Sequence, residues 1–235
     1  MPNTQITRQK WKDHFSYAKK AYIFGILLAL GAASLIFSVT RYQAPNERAV
    51  QIALVDSYTA PEKLDEIVPA LLKAGQAFDD TLEEVQFLSI AYSGDGNADY
   101  EGAQVYMVQV YAGDNDIFIE NETMMNELID QNYCVPLDTF EGFEDFVSRH
   151  PEVKVLYAVP GGEQTDEETD EDAVVEEPRP YALDVSTLTG FAERGALNMK
   201  DKYAAVVIMS KNRETSFEVL SAMFDALAPS EEAVQ

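Results

Sequence analysis

The sequence predicts an α/β domain with a doubly wound, mostly parallel sheet and helices on both of its faces, preceded by one transmembrane helix. Three observations lead to this fold class. Residues 21–39 form an unbroken run of uncharged, mostly apolar residues. Further along, apolar runs of strand length alternate with stretches of helical period. Some of those runs are apolar at almost every position, as in parallel strands buried on both faces.

The segment 21–40 is predicted to be a transmembrane helix. At a rise of about 1.5 Å per residue its apolar run spans roughly 28 Å, close to the ~30 Å hydrocarbon core of a bilayer. Five basic residues precede it: Arg8, Lys10, Lys12, Lys19 and Lys20. Since short basic flanks stay in the cytoplasm, we expect residues 1–20 to lie inside and the rest of the chain to be extracytoplasmic. A cleaved signal peptide is the alternative, although its apolar core would be only about 7–15 residues long.

Acidic residues dominate the chain beyond the predicted anchor. The chain has 17 basic and 41 acidic residues, of which six and one lie within the first 41 positions, so the remainder has a net charge of −29. Such a surface repels nucleic acid, and no nucleic-acid partner is expected. The only cysteine, Cys134, cannot form an internal disulfide, and we expect it to be a buried space-filling residue.

The first predicted elements form a βαβ unit. Val50–Val55 is almost entirely apolar and is predicted to be a buried strand. Pro61 opens a helix that ends near Asp80, in which six apolar residues recur on one face: Leu64, Ile67, Val68, Leu71, Leu72 and Phe78. Val85–Tyr92 is the second strand, and the sequence SGDGN at residues 93–97 forms a turn.

The stretch Tyr100–Tyr111 fits two interpretations. Its β-branched and aromatic residues suit a strand, whereas three apolar residues share one helical face: Ala103, Met107 and Val110. We favour a helix, because Ala112-Gly113 resembles a glycine stop. The residues Ile117–Ile119 that follow are too apolar to be anything but a buried strand.

The second half of the chain continues the alternation. Asn121 caps a helix that contains four apolar residues: Met124, Met125, Leu128 and Ile129. Further strands are predicted at Cys134–Leu137, Val153–Val159, Tyr181–Val185 and Tyr203–Met209, and further helices at Phe140–Val147 and Phe217–Leu227. The domain is expected to cover residues 50–228, between a polar stalk at 41–49 and a tail at 229–235.

The composition changes abruptly between Pro160 and Pro180. Nine carboxylates lie between Glu163 and Glu177, and the segment contains no aromatic residue before Tyr181. We therefore predict a solvated, disordered acidic loop at 160–180. A calcium site or a docking strip for a basic partner is the alternative interpretation.

The order of several short pieces indicates a family resemblance. Between Tyr111 and Phe140 the chain contains Ala112-Gly113-Asp114, Asp116-Ile117-Phe118-Ile119, the helix Glu122–Gln131, and Val135-Pro136-Leu137-Asp138. Near its end come the strand Ala204–Met209, the turn Ser210-Lys211-Asn212 and a helix. In this order the pieces resemble the extracellular solute-binding proteins of ABC importers, the type 2 periplasmic-binding-like family.

The resemblance implies a binding protein that is reduced to about one lobe. The family inserts a complete second lobe after the Pro-Leu-Asp strand and holds its solute between the two lobes. This chain has only about 65 residues from Thr139 to Tyr203, and some twenty of them are the acidic loop. Solute capture by closure of two lobes is therefore not expected.

A candidate ligand site is predicted at the carboxyl ends of the parallel strands, where ligands of open α/β sheets bind. Tyr58 and Tyr92 would stack on a sugar or clamp a peptide, while Asp95 and Asn121 would form hydrogen bonds with it. The alternative for the two tyrosines is a partly buried packing role.

The sequence predicts no catalytic residue, no metal site and no cofactor. Beyond the anchor the only histidine is His150, most simply a surface residue at a helix end, and there is no Gly-x-Ser-x-Gly, HExxH, CxxC or Walker motif. The string Asp95–Glu101 places oxygen ligands at every second position, as calcium would require. However, Tyr100 and Tyr106 stand where an EF-hand loop needs glycine and an acid, so a plain turn is favoured.

Three functions are compatible with these features. The first is a non-enzymatic, membrane-anchored extracytoplasmic interaction module that meets another membrane or envelope protein. The alternative is a tethered receptor for a small solute, a sugar or a peptide, linked to an ABC transporter. A hydrolase that uses paired carboxylates is the least favoured of the three.

Overall fold

The computed structural model describes residues 8–40, 42, 44–56, 63–96, 99–160, 177–193 and 199–227. The chain divides into two compact units, one ending at Gln43 and the other beginning at Ala44. In the first unit a single helix, α1 (Arg8–Thr40), is described. Its segment Ala18–Phe37 is long and apolar enough to cross a membrane, by length and composition. A membrane anchor and an N-terminal signal sequence both meet this criterion.

The second unit is an α/β domain. Its strands are β1 (Ala49–Val55), β2 (Glu84–Ile90), β3 (Ile117–Asn121), β4 (Val155–Ala158), β5 (Arg179–Asp184) and β6 (Lys202–Val206). Its helices are α2 (Val68–Phe78), α3 (Tyr100–Ala112), α4 (Glu122–Asp130), α5 (Phe143–Arg149), α6 (Thr189–Glu193) and α7 (Arg213–Leu227). Short 3₁₀ turns lie at Asn46–Arg48 and Leu137–Thr139.

The strands form one mixed sheet in the order β2-β1-β3-β6-β5-β4. β1 is parallel to β2 and to β3, whereas the pairings of β3 with β6, β6 with β5 and β5 with β4 are antiparallel. The predicted doubly wound, mostly parallel sheet is therefore not confirmed. The alternation of strands and long helices weakens after α5, since only the five-residue α6 is described between β5 and β6. Antiparallel neighbours need no helical crossover.

Helices cover both faces of the sheet. Ile52 and Leu54 of β1 pack in a core with α2, α5, α6 and α7. The alternate residues, Ala53 and Val55, pack in a second core with α3 and α4. β1 is apolar at almost every position because both of its faces are buried.

The structure confirms the strand predictions at β1, β2 and β3 and the helix predictions at α3, α4 and α7. The helix predicted to start at Pro61 is shorter: α2 begins at Val68, and Pro61 lies outside the described residues. Pro69 gives the physical reason. Its ring removes a backbone donor and would clash with the preceding turn of a longer helix, so it is accommodated in the first turn.

Two predicted strands are wrong or shortened. Cys134 makes one isolated bridge to Val207, and the chain then turns at residues 137–139 instead of forming a strand over Cys134–Leu137. Pro136 cannot donate to a strand ladder. The last predicted strand, Tyr203–Met209, already ends at Val206, and Ile208 and Met209 form a turn.

Most of the predicted acidic loop lies outside the described residues, which resume at Glu177. Its last two residues belong to β5, which begins at Arg179. The Arg179 guanidinium donates from Nε to Asp138 at 3.1 Å and forms an ion pair with the same carboxylate. The charged end of the segment is thus fixed to the domain.

Candidate functional site

The carboxyl ends of β1, β2 and β3 meet at one edge of the sheet. Two of the four predicted site residues, Asp95 and Asn121, line an open cleft of about 540 Å³ at this edge. Tyr92 lies beside the cleft, partly buried, with its ring 5.2 Å from that of Tyr106. Tyr58 lies outside the described residues. The structure therefore brings together two of the predicted residues and places a third next to them.

The cleft is acidic. Four carboxylates line it, those of Asp95, Glu122, Glu127 and Asp201. The nearby ammonium of Lys202 is turned inward, since its side chain is only 6% exposed and its Nζ donates to the carbonyl oxygen of Val55 at 2.7 Å. We name this site, lined by Asp95, Asn121 and the other three carboxylates, the acidic cleft.

Asn121 also has a structural task at this edge. Its Oδ1 accepts a hydrogen bond from the backbone N–H of Met124 at 3.0 Å and so caps α4, as predicted from the sequence. Asp99 caps α3 in the same way, accepting from the N–H of Gly102 at 2.8 Å. No cluster of three metal-ligating side chains occurs among the described residues, and Asn97 and Ala98 of the calcium-like string lie outside them.

Behind this edge lies a buried polar network that the sequence did not reveal. Glu120 is fully buried, and its Oε2 accepts a hydrogen bond from the Tyr106 hydroxyl at 3.0 Å. Its Oε1 has no hydrogen-bond partner among the described residues. Burial raises the pKa of Glu120 to about 8, although the Tyr106 hydroxyl and the Lys202 ammonium oppose the shift. In the sequence, the only indication of this network is that the acidic residue Glu120 directly follows the apolar strand residues Ile117–Ile119.

The outer face of α3 is apolar and exposed. The buried stripe of this helix consists of Gly102, Tyr106 and Val110, which recur every four residues. Five large side chains point outward with 44% to 69% of their surface exposed: Tyr100, Val105, Met107, Val108 and Tyr111. Of the three residues predicted to share one helical face, Val110 is 7% exposed, whereas Met107 is 44% exposed. Because apolar residues occur on every side of α3, with Glu101, Gln104 and Gln109 between them, its pattern does not define which side is buried.

A neighbouring turn extends this surface. Ile208 is 40% exposed and Met209 is 50% exposed. Met209 packs against the end of α3, since a Cβ added to Gly113 would lie 3.2 Å from the Met209 Cβ. Gly113 ends the helix with a φ of +69°, which glycine adopts without strain. We name the five side chains of α3 together with Ile208 and Met209 the α3 face.

Tyr92 lies between the buried side of α3 and the acidic cleft. Its hydroxyl lies 3.6 Å from the position of a Cβ added to Gly96, and that position is 4.0 Å from Ala103 of α3. Burial raises the pKa of Tyr92, and the carboxylates of Glu127, Asp95 and Asp99 add to the shift. The two surfaces are therefore neighbours on one side of the sheet.

The turn Ser210-Lys211-Asn212 lies at the opposite edge of the sheet and has a structural role. The Asn212 amide donates to the carbonyl oxygens of Asn46 and Ala49 at 2.7 Å and 2.8 Å. Ser210 donates to the buried carboxylate of Asp116 at 2.6 Å. Burial raises the pKa of Asp116 to about 6. This cluster fastens the start of the domain to the segment that precedes α7.

Two further residues can now be placed. His150 caps the end of α5, as predicted, and its partly buried side chain contacts Asp225 at 3.0 Å. The Phe146 ring, 4.9 Å away, covers it. Cys134 is buried, as predicted.

We compared the chain with known proteins in three ways. No protein-family model, curated protein or solved structure matches it. The candidate site is therefore defined by the geometry of this chain alone.

Proposed function

We propose that this chain is a membrane-tethered extracytoplasmic interaction module, whose α3 face docks on another membrane or envelope protein. The observation behind the proposal is the exposed apolar α3 face on a domain that is otherwise rich in carboxylates. Large exposed apolar side chains that lie together on a soluble domain often mark a protein–protein interaction site.

The tether in this proposal is the segment 21–40, with residues 1–20 in the cytoplasm. The apolar side chains of α1 support it, since the large ones from Tyr22 to Phe37 are 46% to 70% exposed. A bilayer would cover them. The basic residues before the segment support the orientation.

The fold in this proposal corresponds to one lobe of a solute-binding protein, and the module is non-enzymatic. Helices on both faces of the sheet and the succession of β3 and α4 support the resemblance, whereas the strand that the family has at Pro-Leu-Asp is a 3₁₀ turn in this chain. The most perturbed acid near the strand ends, Glu120, is fully buried and cannot reach a bound substrate. This favours a structural role for the network around it.

A photo-crosslinking amino acid at position 108 tests the docking function in native membranes. Val108 is 62% exposed on the α3 face, and Tyr157 of β4, 58% exposed, provides the control position. We expect an adduct with one defined membrane or envelope protein from position 108 and none from position 157. No adduct at position 108, the same adducts at both positions, or adducts with this chain alone would contradict the proposal.

A tethered receptor for a small solute, linked to an ABC transporter, is the second candidate. The observation that favours it is the cleft at the strand ends, lined by Asp95 and Asn121. A ligand at a hundredfold its dissociation constant would add about 2.7 kcal/mol to the free energy of unfolding. Thermal-shift measurements with sugars, peptides and metal salts should detect this, and Asp95→Asn should reduce the shift. No shift from any compound would remove this candidate.

A further inference from the structure

We infer that the α3 face and the acidic cleft form one composite surface that binds a basic amphipathic segment of a partner protein. In this arrangement apolar side chains of the partner lie on α3, and its lysine or arginine side chains enter the acidic cleft. The inference rests on the proposed docking function and names the chemistry of the partner.

The two parts of the surface lie side by side. The loop that leads from β2 to α3 contributes Asp95 to the cleft, and Gly94 of this loop is packed against Met124 of α4. Tyr92, in the same loop, packs against the buried Tyr106 of α3, and the carboxylates of Glu127 and Asp99 raise its pKa. The cleft therefore lies near the N-terminal end of α3, which a segment lying along the helix would approach.

Charge determines which partner fits. The only charged side chain on α3 is Glu101, so the apolar part is almost neutral. Glu122 and Glu127 are exposed in the cleft, and neither forms an ion pair within the part of the chain that the structure describes. An apolar face beside these two exposed carboxylates is complementary to an amphipathic segment with basic residues at one end.

The same charges disfavour two other occupants. A second copy of this chain would bring a second acidic cleft and a second net charge of −24. An anionic lipid surface would be repelled for the same reason. A basic protein segment is favoured because its lysine or arginine side chains would pair with the carboxylates of the cleft.

The test uses the full-length chain in nanodiscs of zwitterionic lipid, with empty nanodiscs as the background. The probe is an 18-residue amphipathic peptide of leucine and lysine, with a benzophenone side chain on its apolar face. A matched peptide has glutamate in place of lysine. Fluorescence anisotropy gives the dissociation constant, and mass spectrometry locates the crosslinks.

Two double variants separate the parts of the surface, and each has a control. Val108→Ser with Tyr111→Ser removes apolar contact, and Tyr157→Ser is its control on β4. Glu122→Gln with Glu127→Gln removes charge, and Glu144→Gln on α5 is its control. All of these side chains are exposed, so folding should be preserved. We expect each double variant to weaken binding of the lysine peptide at least tenfold, and each control to change it less than twofold.

Crosslinks on α3 and binding of the lysine peptide alone would support the inference. Equal binding of the glutamate peptide, crosslinks elsewhere on the domain, unchanged affinity in either double variant, or crosslinks between two copies through α3 would overturn it. The docking function is judged separately. If position 108 still captures a defined membrane protein after Glu122→Gln and Glu127→Gln, the docking function stands and only the basic amphipathic chemistry fails.

Discussion

Glu120 shows how much a single buried acid depends on its surroundings. It lies in the β3 pairing with β6, opposite Tyr203, and the only hydrogen bond described for its carboxyl group comes from the Tyr106 hydroxyl. Lys202 is close enough to lower its pKa, and the pKa of Lys202 is itself lowered by burial. A buried acid with a raised pKa is held mainly in its protonated form below that pKa. Its ionisation therefore makes stability depend on pH.

The free energy of unfolding should fall as the pH rises through the pKa of Glu120. The folded-state pKa of about 8 is above the ordinary value of 4.5, so between these values the folded chain binds more protons than the unfolded chain. The stabilisation is complete below the unfolded value and is lost as the pH passes the folded value. From about pH 6.5 to about pH 8.5 we expect a loss of roughly 2 kcal/mol, measured by urea unfolding followed by circular dichroism.

Glu120→Gln identifies the source of this dependence. Glutamine has nearly the same shape, accepts the Tyr106 hydrogen bond and stays neutral, so most of the slope between pH 6.5 and 8.5 should disappear. Glu144→Gln, on the exposed side of α5, should leave the slope as it is. Parallel curves for the wild type and Glu120→Gln would show that Glu120 is ionised at neutral pH or titrates elsewhere.

At the scale of the element, α3 has one side that stabilises the fold and one that does not. Val110 is 7% exposed, and Val108, two residues earlier, is 62% exposed. Val110→Ala should lower the free energy of unfolding by about 2 kcal/mol, because it leaves a cavity in the core. Val108→Gln should change it by less than about 0.5 kcal/mol, since glutamine suits an exposed helix position. Urea titrations at one pH compare the two. Equal losses would mean that the α3 face is covered.

Elements whose ends depend on contacts between neighbouring residues could be predicted from the sequence, whereas elements that depend on distant residues could not. The amide of Asn121 and the glycine at 113 fix helix ends by contacts within a few residues, so the sequence is sufficient to place them. The direction of β6 depends on pairing with β3 and β5, distant in sequence, and the alternation of elements did not encode it. A lysine at the start of a strand, such as Lys202, would be expected to be exposed to solvent. Its ammonium is instead buried and donates to the carbonyl oxygen of Val55, which is distant in sequence. Of the site, Asp95 and Asn121 followed from strand-end geometry, whereas the side of α3 left exposed did not.

At the scale of the whole molecule, charge and hydropathy are strongly segregated. The basic residues before position 21 are followed by the apolar helix and then by a domain rich in carboxylates. The rule that basic flanks stay in the cytoplasm predicts that residues 1–20 lie inside. Labelling can test this proposed topology.

Cysteines introduced on either side of the apolar helix, at positions 3 and 157, should report opposite sides of the membrane. The natural Cys134 can stay in place, because it is 3% exposed and burial raises the pKa of its thiol, so little reactive thiolate forms. In intact spheroplasts a membrane-impermeant maleimide should label Tyr157→Cys, whose position is 58% exposed, but Asn3→Cys only after permeabilisation. The natural chain should remain unlabelled in both conditions. Labelling of Asn3→Cys without permeabilisation would reverse the orientation. If the intact mass shows that the mature chain lacks the residues before about position 31, the apolar helix is a signal sequence, and the domain acts without a tether.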